Sequence, residues 1–95
     1  MIENLKIINR PNGDYTLILG DEIYALNKSK YHNSSHSSHY LKKLKPNEEY
    51  ISGMFEKKKQ NKHYFQGNYK GKAIIIDLIN QTMTTREIKY KQTYA

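Results

Sequence analysis

The sequence predicts a mainly β chain: six to seven short antiparallel strands forming a small barrel or strongly bent sheet, OB-like or SH3-like in size. Three observations carry this reading. Short runs rich in Ile, Leu, Tyr and Thr recur along the chain, separated by turn signals containing Gly, Asn or Pro. A single segment has helical spacing, and it lasts about two turns. The 95 residues suit one domain spanning 1–95. The alternative is an α+β open antiparallel sheet with one helix packed on it.

Leu5–Arg10 reads as the first strand, stopped by Pro11-Asn12-Gly13-Asp14, where Pro presets φ and Asn-Gly tolerates positive φ. Tyr15–Leu19 is the second. Gly20-Asp21 has the composition of a two-residue hairpin turn and leads into Glu22–Leu26, completing a three-stranded meander. Residues 27–39 are polar, carry a doubled Ser-Ser-His unit and hold few apolar anchors. They predict a mobile polar loop, because so little burial does not offset chain entropy. Tyr40, Leu41 and Leu44 then share one face of a short helix over 38–45, with Ser as cap and Pro46 as stop.

Tyr50–Glu56 reads as the next strand, with Gly53 a bulge position. Lys57–Lys62 reads as a polar hairpin tip, and His63–Gln66 returns, continuing to Tyr69. After Gly71, the near-continuous apolar run Ala73–Ile79 marks the most buried strand. Asn80-Gln81 turns into Thr82–Tyr90, and 91–95 is expected to be a frayed tail.

Composition excludes several classes of chemistry. The chain has no cysteine, which removes disulfides, a thiolate zinc site and a cysteine nucleophile. Its longest unbroken apolar run, Ala73–Ile76, is far short of the roughly 20 residues of a membrane span. The opening Met-Ile-Glu-Asn-Leu-Lys lacks the basic-then-apolar layout of a secretory leader, so the expected location is cytoplasmic.

The chain carries a net charge of +7. Lys, Asn, Ile and Tyr make up 43 of the 95 residues, and valine is absent. All four have AT-rich codons, which points to an AT-rich bacterial, phage or plasmid gene and makes total charge a weak witness. Its distribution says more. Residues 1–26 hold Lys6 and Arg10 against Glu3, Asp14, Asp21 and Glu22, a net −2. Residues 27–72 hold eleven lysines against Glu48, Glu49 and Glu56, a net +8. Residues 73–95 are at +1. Codon bias spreads lysine evenly, so this segregation indicates a positive surface.

His32, His36 and His39 have spacings of a metal-binding helix, but the interposed serines oppose a helix and no cysteine joins them; no metal site is assigned. His63-Tyr64 beside the lysines has the look of a metal-free nuclease site, but carboxylates are sparse and no two sit at a spacing that forces them together, and Gly67-Asn68-Tyr69-Lys70-Gly71-Lys72 lacks Walker spacing. The chain therefore reads as non-enzymatic and without a cofactor. Aromatic residues interleaved with lysines in 27–72 are the more informative feature. Lysines offer phosphate contacts that release counterions, while tyrosine faces offer stacking to unpaired bases.

The candidate nucleic-acid-binding residues are Lys42, Lys43, Lys57, Lys58, Lys59, Lys62, Tyr64, Tyr69, Lys70 and Lys72. The bland alternative is that the rings fill the core and the lysines solvate a hairpin tip. Scarcity of Arg argues for weak sequence selectivity. The expected function is a small binding module for nucleic acid, with single strands favoured. The alternative is a phage or mobile-element inhibitor that binds a host protein or a protein–nucleic-acid complex, such as a defence-system component. A third reading is capture of a small phosphorylated ligand. A homodimer sharing a β edge fits so small a core.

Overall fold

A computed structural model describes residues 1–30 and 37–88. Among the described residues nine strands form one antiparallel sheet: β1 (Ile2–Asn4), β2 (Lys6–Asn9), β3 (Tyr15–Leu19), β4 (Glu22–Lys28), β5 (His39–Lys45), β6 (Glu49–Lys59), β7 (Lys62–Tyr69), β8 (Lys72–Asp77) and β9 (Thr82–Glu87). Their order is β1-β9-β8-β7-β6-β5-β4-β3-β2. From β2 to β9, every strand lies beside its neighbour in sequence.

Closure comes from the N-terminal segment, which breaks at Leu5 and serves both ends of the meander. Its first half pairs with β9 (Ile2↔Thr84) and its second with β3 (Ile7↔Leu17). Along this seam the Leu5 amide donates to the Gln81 carbonyl at 2.8 Å. The terminal ammonium of Met1 donates to the Thr85 carbonyl at 2.9 Å, and the Thr85 amide returns a bond to Met1 at 3.0 Å. The sheet thus nearly closes into a barrel, which protects edge amides that would otherwise recruit other strands.

Several expectations are corrected. The strand count is nine, not six to seven. An OB barrel has five strands in Greek-key order, whereas this chain runs as a plain meander. The helix expected over 38–45 is strand β5. Its inward positions are His39, Leu41 and Lys43, and the polar ends of that set hide the two-residue period. The α+β alternative falls with the helix. The expected loop is also narrower: Asn27 and Lys28 belong to β4 and His39 to β5, with the Ser29 amide bonded to the Ser38 carbonyl at 2.9 Å. Its central part, and the 91–95 tail, lie outside the described residues. Lys57, Lys58 and Lys59 are strand residues, leaving Gln60-Asn61 as the tip.

One core fills the interior. Leu17, Leu26, Leu41, Met54, Phe65 and Ile76 are fully buried, and Phe65, Ile76 and Met83 stand side by side on β7, β8 and β9. The two ends of the barrel differ. At the end bearing the Pro11–Gly13 turn, buried His39 acts as a plug: its Nε2 hydrogen is donated to the Gly13 carbonyl (2.9 Å) and its Nδ1 lies 3.0 Å from the Ser38 hydroxyl. Its ring packs edge-on against Phe65 at 4.6 Å. The opposite end, at the β3–β4, β5–β6 and β7–β8 turns, is open. Lys70 and Gly71 both have positive φ there (49° and 75°), the two-residue hairpin geometry that glycine eases.

Candidate nucleic-acid interface and barrel mouth

Strand β6 divides its loyalties. Residues 49–54 pair with β5, and residues 55–59 pair with β7. The switch occurs where Gly53 and Gly67 meet. A Cβ on Gly67 would lie 2.6 Å from the Gly53 carbonyl oxygen and 2.4 Å from Met54 Sδ, so only glycine permits the approach. Beyond it the ladder is bridged by Ser52, whose hydroxyl accepts the Asn68 amide at 3.2 Å.

The register beyond Gly67 determines what faces outward. Phe65 and Ile76 point into the core, so Tyr64, Gln66, Ile75 and Asp77 point away from it. Their partners on β6 follow: Lys57 stands opposite Tyr64, Phe55 opposite Gln66, and Lys59 opposite Lys62. The outer face of β6–β7 therefore displays Lys57, Lys59 and Lys62 around Tyr64, with Phe55, 47% exposed, next along. Arg86 joins Lys62 and Tyr64 around a shallow depression of about 350 Å³. Asp77 also borders it, and its carboxyl is already engaged by the amides of Ile79 and Asn80 and by the Asn80 side chain. Burial works against the charged form of Asp77, and these hydrogen bonds outweigh it, holding the pKa below the ordinary carboxylate value. Among the described residues, none of Lys57, Lys59 or Lys62 makes an ion pair within 4 Å.

The other sequence-derived candidates are placed elsewhere. Lys42 is on the outer face of β5, paired with Glu48 at 2.6 Å. Lys58 projects from the opposite face of β6, across from His63, which bonds Glu56 at 2.7 Å. Lys70 sits in a turn with its ammonium 5.1 Å from the centre of the Tyr69 ring. Lys43, Tyr69 and Lys72 line the open mouth, together with Glu3, Glu22, Tyr24 and Glu49. The structure thus gathers Lys57, Lys59, Lys62 and Tyr64, and separates them from Lys43, Tyr69 and Lys72. Phe55 and Arg86 belong with the first group and were not among the candidates. Phe55 was discoverable from strand alternation, being two residues before Lys57; Arg86 required knowledge of the sheet order.

The mouth owes its polarity to a bulge. Between β5 and β6 the register jumps from Leu41↔Ser52 to Lys42↔Tyr50, leaving Ile51 as an extra residue. The extra residue switches the inward parity, so Ile51 and Glu49 line the mouth above buried Met54. Lys43 pairs with Glu22 at 3.0 Å, and the Tyr24 hydroxyl donates to the same carboxylate at 3.1 Å. The hydrogen bond from Lys43 holds the Glu22 carboxyl below its usual range. Burial pushes the Tyr24 phenol up, reinforced by its bond to Glu22 and by the charges of Glu22, Glu3 and Glu49. The Tyr69 hydroxyl donates to Glu49. No group of three His, Asp or Glu residues is placed to hold a metal ion among the described residues. Nor is any helix there long and apolar enough to cross a membrane.

Comparison with protein families, with curated proteins and with solved structures finds no match.

Proposed function

We propose that the chain is a nucleic-acid-binding module, and that its contact surface is the outer face of β6–β7. The observation carrying this reading is the cross-strand set Lys57↔Tyr64 and Lys59↔Lys62, with Phe55 beside it. Three ammoniums with no ion pair within 4 Å among the described residues share one face with two rings, in rows two residues apart along a strand and so about 6.6 Å apart. Cations in that arrangement bind phosphates, and exposed rings stack on unpaired bases, which favours single strands. Lysine offers no bidentate fork to a base edge, so selectivity is weak.

The test is fluorescence anisotropy of labelled dT and rU oligonucleotides at low salt. Binding is expected, and Tyr64→Ala should weaken it by about 1–3 kcal/mol, the worth of one stacked base. Absence of binding to any single- or double-stranded oligonucleotide at low salt overturns the proposal.

A second reading, a host-protein inhibitor, is favoured by one observation. Ile2 and Ile79, 71% and 57% exposed, extend the same side of the sheet with apolar surface. Pull-down from a host lysate with nuclease treatment separates the readings: a partner retained after nuclease supports direct protein contact.

A further inference from the structure

We infer that the open mouth of the barrel is a second binding site, independent of the β6–β7 face, for a small zwitterion of the apolar α-amino acid class. A barrel of about eight strands either fills its interior with side chains or leaves room for one small ligand. Here the closed end is filled by His39 and Phe65, whereas the open end keeps a cavity of about 250 Å³. At roughly 30 Å³ per water that is space for about eight waters, or a molecule of eight to ten non-hydrogen atoms.

The lining specifies the chemistry. Leu41, Ile74 and Met83 make an apolar floor. Charges of both signs stand at the rim. Glu22 and Lys43 neutralise one another, which leaves Glu3, Glu49 and Lys72 with no ion pair within 4 Å among the described residues. Glu49 keeps lone pairs beyond the one taken by Tyr69. Two carboxylates receive an ammonium and one ammonium receives a carboxylate, while a short apolar side chain descends to the floor. A phosphate dianion meets three carboxylates against two ammoniums here, one of them already paired with Glu22, so the mouth opposes the phosphorylated-ligand reading even though it is lined by Lys and Tyr.

The test is methyl-detected NMR titration of the full chain with L-leucine, L-isoleucine and L-methionine. Two single-charge analogues of leucine serve as controls: 4-methylpentanoate, lacking the ammonium, and 3-methylbutylamine, lacking the carboxylate. At least one amino acid should give saturable shifts at the Leu41, Ile74 and Met83 methyls, with both analogues at least tenfold weaker. Lys72→Met, a rim change that spares the core, should weaken the amino acid at least tenfold and leave 3-methylbutylamine unaffected. The variant Lys57→Gln/Lys59→Gln/Lys62→Gln should bind the amino acid as the wild type does, which keeps this outcome separate from that of the oligonucleotide proposal. Absence of shifts with all three amino acids at tens of millimolar overturns the inference. Equal binding of either analogue also overturns it, because the mouth then does not read both charges.

Discussion

Gly67→Ala is the substitution that most directly probes how β6 is seated on β7. An added methyl at residue 67 meets the Gly53 carbonyl oxygen at 2.6 Å, Met54 Sδ at 2.4 Å and Ser52 Oγ at 2.9 Å. The Met54 thioether is flexible and can retreat, but the Gly53 oxygen is backbone and moves only with the strand. Overpacking of this kind costs about 1–3 kcal/mol. Loss of unfolded-state freedom returns about 0.4–1 kcal/mol. The net is a destabilisation of about 0–2.6 kcal/mol with a central value of about 1.3 kcal/mol, and that central value lowers Tm by about 5–10 °C for a domain of this size. Calorimetry or thermal unfolding by circular dichroism reads it directly. Gly20→Ala is the contrasting case: no atom lies within 4 Å, and only the strain of φ near 58° opposes it. Because Phe55↔Gln66 is the first β6–β7 pair beyond Gly67, displacement of β6 should also weaken oligonucleotide binding. A Gly67→Ala protein more stable than the wild type would refute the close approach and the strand seating built on it.

Further outcomes follow from the core, the mouth and the ionised carboxyls. Leu41→Ala, at a fully buried position, should cost about 2–5 kcal/mol in denaturant unfolding; a loss under about 1 kcal/mol would contradict its place in the core. Tyr69→Phe removes the donor to Glu49 and should cost about 0.5–1.5 kcal/mol without changing oligonucleotide affinity. The carboxyls of Glu22 and Asp77 are held below their ordinary values of 4.5 and 3.8, so each contributes stability that is complete above those values. That contribution is lost as pH falls through the lower folded values. Stability should therefore decline on acidification below about pH 4.5, and Glu22→Gln/Asp77→Asn should flatten the decline. An unchanged acid limb in the double variant would show that these two groups do not govern it.

Much of the barrel is legible in the sequence, and its gaps have physical causes. Tyr15–Leu19 matches β3 because its ends are fixed by turn residues on both sides. Strand β5 is not legible, since Lys43 faces inward and finds Glu22 from a neighbouring strand, a partner that local spacing does not reveal. The closing seam depends on Ile2–Asn4, a three-residue strand whose only signal is its pairing with β9. The charge segregation marks the part of the chain that holds the proposed face, yet it does not sort Lys57 from Lys58 or separate Tyr64 from Tyr69. Face assignment needs register, and the bulge at Ile51 changes parity partway along β6. For that reason local spacing does not reveal that Glu49 turns into the mouth.

The salt dependence of oligonucleotide binding tests the central claim most directly. For single strands each neutralised phosphate contributes about 0.7 to the slope of log K against log salt. If Lys57, Lys59 and Lys62 contact phosphates, then Lys57→Gln/Lys59→Gln/Lys62→Gln should reduce that slope by about 2. Removing charge from the far side of the barrel, with Lys6→Gln/Lys28→Gln, should leave it nearly unchanged. Equal slopes for the wild type and the triple variant, or an equal loss from the far-side pair, would contradict the assignment of the interface to β6–β7.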